Sequence, residues 1–117
     1  MAFLFLIIPI SFSNVAEAGR IESIRDEFPI NGSIIQYSQD HATVVMNQFG
    51  EFVVTWHSHG GNMSEIYARS FDNKGLPYNN EFIVNTFTLG TQRVPDVSAN
   101  KSDLFVITWS GGTDVDG

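Results

Sequence analysis

Phe52-Val53-Val54-Thr55-Trp56 decides the reading of this chain, because Phe105-Val106-Ile107-Thr108-Trp109 follows it 53 positions later. A second pair keeps nearly the same interval: Glu27-Phe28-Pro29-Ile30-Asn31 returns as Glu81-Phe82-Ile83-Val84-Asn85, 54 positions on. Two matched pentamers in the same order, at spacings one residue apart, are the signature of a repeat architecture. The pentamer is apolar at nearly every position instead of every second one. A strand of that kind has to be covered on both faces. Phe52, Val54 and Trp56 should therefore meet one neighbour, and Val53 and Thr55 the other.

Outward from the pentamer the pattern is β throughout, and no stretch of ten or more residues carries a helical period. Residues 28–31 form a short strand, with Pro29 acceptable at an edge or a strand start. Residues 32–41 read as polar loop and 42–46 as a β-branched strand. Asn47-Gln48-Phe49-Gly50 turns the chain into the strongest strand, 51–58, which Gly60-Gly61-Asn62 ends. Residues 65–71 alternate Ile66, Ala68 and Ser70 with Tyr67, Arg69 and Phe71, the period of a strand. Asp72-Asn73-Lys74-Gly75 is a hairpin turn, and 81–86 the next strand. Residues 96–99 and 104–110 then restart the unit.

This predicts an all-β chain of tandem four-stranded antiparallel units, β-propeller-like blades, incomplete in number. A stacked β-sandwich would also cover both faces, but it needs about seven strands and 100 residues per unit.

The length, 117 residues, leaves room for one ordinary domain. Six Lys+Arg against 13 Asp+Glu give a formal net charge of −7, so nothing electrostatic favours nucleic acid or an anionic membrane surface. Ten Phe, three Tyr and two Trp argue against intrinsic disorder. With no cysteine, disulfides and thiolate metal sites are excluded and burial of apolar surface must stabilise the fold.

At the amino end, residues 2–12 are an apolar run too short to span a bilayer, which takes roughly 20 residues. Ala16-Glu17-Ala18 follows with small residues where a signal peptidase reads them. We expect a signal peptide over residues 1–18, a mature start at Gly19 and a secreted, extracellular or cell-surface location. No Lys or Arg precedes the apolar run, which departs from the usual signal pattern, and a buried first strand and an arbitrary open-reading-frame start are the competing readings.

Gly50-Glu51-Phe52-Val53-Val54-Thr55-Trp56, Ile66-Tyr67-Ala68-Arg69-Ser70-Phe71-Asp72, Gly75 and Glu81-Phe82-Ile83-Val84-Asn85-Thr86 resemble a repeat of very large exported proteins. Its usual form runs G-F-V-V-x-W, then I-Y-A-x-x-F-D, then E-F-x-V-N-T, and the likeness covers residues 42–110. The resemblance implies a bacterial-type surface repeat, found beside cadherin-like modules or calcium-binding glycine-aspartate repeats in hemolysin-type exported proteins, and building propeller-like arrays. One departure stands out. The family carries an Asp/Gly-rich loop after the Trp, where this chain has His57-Ser58-His59-Gly60-Gly61-Asn62, without a carboxylate. The second copy, Ser110-Gly111-Gly112-Thr113-Asp114-Val115-Asp116-Gly117, keeps the acidic character.

Asp114 and Asp116, beside Gly117, are the candidate metal ligands, with calcium as the cofactor they would hold. Two carboxylates fall short of the six to eight oxygens calcium takes, and the same residues also read as ordinary turn formers. His57 and His59 share one face of an extended strand and could ligate a transition metal, but no third ligand stands near them in the sequence; they read as polar strand-end residues. Ser70 to Gly75 is similar to the Asp-box turn of sialidase-type propellers, yet the glycine stands one residue late and the following Trp is missing, so a plain hairpin turn is expected. Trp56 and Trp109 end apolar strands, which makes core packing their expected role and sugar stacking the alternative. No nucleophile motif, paired acid and base, or phosphate-cradling loop is present.

The chain thus divides into a signal peptide (1–18), a lead-in with the last strand of a preceding unit (19–41), a complete four-strand unit (42–86) and the first half of another (87–117). It is expected to be a fragment of a longer array. The expected function is a non-catalytic, structural or adhesive segment of a secreted repeat protein. The alternatives are a calcium-dependent binding module and, more remotely, a piece of a propeller glycosidase. Expected partners are neighbouring repeats of the same chain, a second copy of it, or a surface protein or glycan, with no nucleic acid and no membrane span.

Overall fold

The computed structural model describes residues 3–4, 7–9, 21–23, 25–32 and 36–112. Among these residues the chain is all-β, with ten strands and no helix. The strands are β1 (Phe3–Leu4), β2 (Ile7–Pro9), β3 (Ile21–Ser23), β4 (Phe28–Pro29), β5 (Gln39–Met46), β6 (Phe52–Gly60), β7 (Met63–Phe71), β8 (Phe82–Ile83), β9 (Thr91–Ala99) and β10 (Phe105–Gly112). The backbone of β1 pairs with β4 and that of β2 with β3, each as a small antiparallel ribbon. The expected cleavage point after Ala18 lies outside the described residues.

The larger sheet is open and mixed, in the order β10-β9-β7-β6-β5, with β8 also laid along β7. Within it, β5, β6, β7 and β8 form an antiparallel meander, the four strands expected between residues 42 and 86. The β9–β10 hairpin joins that meander through one parallel backbone bridge, Ser64 to Thr91. Side chains do the rest. Val97, Phe105 and Ile107 of this hairpin pack on Val53, Ala68, Val45 and Val84 of the meander. Thr43 Oγ1 donates to the Pro95 carbonyl across the same seam, at 3.5 Å.

The opposite side of the meander carries Phe52, Val54, Trp56 and Phe71, covered by Phe28 and Ile30. The Phe52 and Phe71 rings stack at 4.9 Å, and Phe28 lies 5.9 Å from Phe71. Arg25 donates to the Gly75 carbonyl and Arg69 to the Ile30 carbonyl, both at 2.9 Å, tying the lead-in to the sheet. Gly75 serves twice here: its φ of 78° completes the turn, and a Cβ on it would press on the Phe28 ring at 3.1 Å. The two sides of the pentamer thus face different neighbours, as the both-faces-apolar pattern demands.

Most strands differ by one or two residues from the expected bounds, and three of them, β5, β8 and β9, by three or more. β5 begins at Gln39, three residues early, because the ladder to β6 continues through Asp40↔His57 and Gln39↔Ser58 even though these residues are polar. β9 begins at Thr91 despite Pro95. The proline is tolerated because it sits in the register irregularity between the Asp96↔Thr108 and Arg93↔Ser110 pairs, where no ladder donor is demanded of it. β8 keeps only Phe82 and Ile83, after which Asn85 takes over the pairing with its side chain: its Oδ1 accepts from the Ile66 amide at 2.8 Å.

The two hairpins turn in the same way. The Asn47 Oδ1 accepts from the amides of Phe49 and Glu51, and the Asn100 Oδ1 from those of Ser102 and Leu104. Gly50 and Asp103 close the two turns with positive φ, 82° and 60°. Both first strands bulge, at His41 (φ 52°) and Val94 (φ 51°).

Candidate metal centre

Beyond the bulge of β5, the register to β6 slips by one residue: Thr43 lies opposite Thr55, but Asp40 lies opposite His57. Without the slip Asp40 would oppose Ser58 and point to the other side of the sheet. A bulge re-aims a side chain in this way. Here it turns the Asp40 carboxylate toward His57 and His59, which share a face because they are two apart on β6.

The resulting cluster is tight. His57 Nε2 and His59 Nε2 are 2.9 Å apart, and Asp40 Oδ2 lies 4.0 Å from the first and 3.6 Å from the second. His57 is 2% exposed, whereas the side chains of His59 and Asp40 are 39% and 46% exposed, so the group opens to solvent on one side. Ser38 Oγ donates to the same Asp40 Oδ2 at 2.9 Å and holds the carboxylate in place. The His41 ring stacks on His57 at 4.9 Å, and His59 meets His57 edge-on at 4.6 Å. The Val94 amide approaches His57 Nδ1 at 3.4 Å.

Burial pulls the His57 pKa below its ordinary 6.5, and the neighbouring His59, His41 and Arg93 add to this against the opposing pull of Asp40. The ring is accordingly neutral at pH 7, the form whose lone pair can bind a metal. With the Val94 amide directed at Nδ1, the ring proton sits on Nε2 and bridges to His59.

At the corresponding places in the β9–β10 hairpin stand Arg93, Ser110 and Gly112. The bulge is the same there, but the ligating groups are absent. The cluster is therefore an addition to the hairpin, not a requirement of it.

His57 and His59 lacked a third ligand in the sequence. The structure brings them Asp40, a residue read there as polar loop, 17 positions upstream of His57. Asp114 and Asp116, the candidate calcium ligands, lie outside the described residues. Trp56 is fully buried, its Nε1 donating to Gln39 Oε1 at 2.9 Å, while Trp109 stays partly exposed. On the far side of the sheet a shallow cleft of about 410 Å³ is lined by Tyr37, Ser58, Met63, Glu65 and Tyr67. Among the described residues no helix is long and apolar enough to cross a membrane.

Comparison with protein-family models, with curated proteins and with solved structures finds no match.

Proposed function

We propose that this chain is a non-catalytic segment of a secreted or cell-surface repeat protein, with a structural or adhesive role, whose sheets stack on like units as blades of a propeller-like array. One observation carries the reading: each pentamer is met by the apolar residue at the matching position before it, Ile30 for the first and Val84 for the second. Phe28 and Ile30 of the lead-in lie over Phe52, Val54 and Trp56 on one side. On the seam side Val84 shares a cluster with Phe105 and Ile107, which hold the matching positions one interval later. Continuing that translation calls for a further apolar surface over the outer side of β10, where Leu104 and Val106 are exposed. Exposed apolar surface of this kind on a strand edge favours association.

The test is sedimentation velocity on the full chain and on Val106→Asp. The unsubstituted protein should self-associate in a concentration-dependent way, and V106D should shift it to monomer without unfolding it. Material exported by the producing cell should begin at Gly19. A monomer with a cooperative melt above about 60 °C would mean that the chain closes its own core and that the open-array reading is wrong.

A further inference from the structure

We propose that Asp40, His57 and His59 form a binding site for a divalent transition metal of the zinc class, with solvent supplying the remaining coordination. The donor set is two imidazole nitrogens and one carboxylate oxygen, which suits zinc, nickel, cobalt or copper(II) better than calcium or magnesium. The three ligand atoms lie within 4.8 Å of one another. Around a tetrahedral zinc with bonds near 2.0–2.1 Å, ligand atoms stand about 3.3 Å apart. The observed separations of 2.9, 3.6 and 4.0 Å bracket that value, so small side-chain rotations suffice.

Three further features fit. Ser38 hydrogen-bonds the oxygen that faces the imidazoles, the kind of supporting contact that orients a ligating carboxylate. His57 is held by burial and by the β6–β7 ladder, while His59 and Asp40 leave an open side for entry and for bound water. The matching positions Arg93, Ser110 and Gly112 occupy the same bulged geometry without ligands, so the fold does not explain the cluster.

Metal entry requires the proton now between the two rings to leave. On His57 it moves from Nε2 to Nδ1 by exchange through solvent, which leaves the ring neutral, and the long Val94 amide contact at 3.4 Å yields; His59 then turns the Nε2 lone pair that accepted that proton toward the metal.

The experiment is calorimetric titration of the tag-free full chain with Zn²⁺ alone, paralleled by the visible absorption of Co²⁺ alone. One equivalent should bind, and Co²⁺ should show the intense bands of a low-symmetry site. His59→Ala and Asp40→Asn, both at exposed positions, should each weaken Zn²⁺ by about 10-fold or more, and Ser38→Ala by a smaller factor. Circular dichroism and metal-free melting of each variant separate loss of ligand from loss of fold. His41→Ala, which removes the stacked ring but no ligand, should retain binding. Absence of any Zn²⁺ or Co²⁺ binding by the folded chain would overturn the proposal. So would affinity unchanged in both His59→Ala and Asp40→Asn, or lost in His41→Ala while these two keep it.

Discussion

The β5–β6 and β9–β10 hairpins share the pentamer, the asparagine turn and the bulge, yet their side chains live in different surroundings. Trp56 is 0% exposed and Trp109 39%; Val53 is 7% exposed and Val106 58%. Nothing in the two pentamers accounts for this, since four of the five positions are identical and the fifth is Val54 against Ile107. The difference is in the number of neighbours among the described residues: β5–β6 is covered by the lead-in on one side and by β9–β10 on the other, while β9–β10 is covered on one side. A strand that is apolar on both faces is stable in proportion to what is laid against it, as nearest-neighbour stacking in repeat proteins requires.

The sharpest way to break this comparison is to truncate the two tryptophans. Trp56→Ala removes a filled core position together with the hydrogen bond to Gln39, and should cost about 3–5 kcal/mol, which is comparable with the whole stability of many domains. Trp109→Ala, at a half-covered position, should cost roughly 1–2 kcal/mol. Urea unfolding of both variants reads the difference; equal costs would mean that Trp109 is covered as fully as Trp56 in solution.

A smaller effect is expected at the turns. Asn47 and Asn100 each accept two backbone amides, and loss of either set should cost about 1 kcal/mol. Asn47 also donates from Nδ2 to Glu51 and, across the seam, to Asp103 at 3.0 Å. Asn47→Ala should therefore exceed Asn100→Ala by several tenths of a kcal/mol. Adding Asp103→Ala should shrink that gap; if the gap survives unchanged, the cross-seam bond contributes nothing in solution.

Much of this fold is legible from residues 42–110, because each turn carries its own chemistry. Asn47 with Gly50, and Asp72 with Gly75, are turn formers whose hydrogen bonds and φ values need no distant partner. The double-faced pentamer likewise announces burial on both sides. The candidate metal centre is another matter. A regular hairpin closed at Asn47–Gly50 would place Asp40 opposite Ser58, on the wrong side for His57. Only the bulge at His41 brings the three ligands together, and a histidine at φ 52° is not something a polar stretch between two strands advertises. Pro95 hid the first half of β9 for a related reason: the residue that ordinarily ends a strand sits where the ladder is already interrupted. Sequence periodicity reports regular pairing, and both misreadings fall where pairing is irregular.

The seam between the meander and the β9–β10 hairpin has a mechanical consequence. Within each hairpin, adjacent strands are held by a continuous ladder, but across the seam the backbone meets once, at Ser64 and Thr91, and the rest is side-chain contact. Under tension applied between the Asn47 and Asn100 turns, which loads the seam directly, a lone bridge parts before a ladder does. The hairpin should swing away whole, with its own pairing intact, and settle back when the load is released, because no strand has to be rewound. Single-molecule stretching should record this as a low-force, reversible extension preceding a larger, high-force one; a single rupture would mean that seam and ladders fail together. Such a joint yields like a hinge pinned at one corner, giving the molecule compliance at the seam and stiffness within the meander and the hairpin.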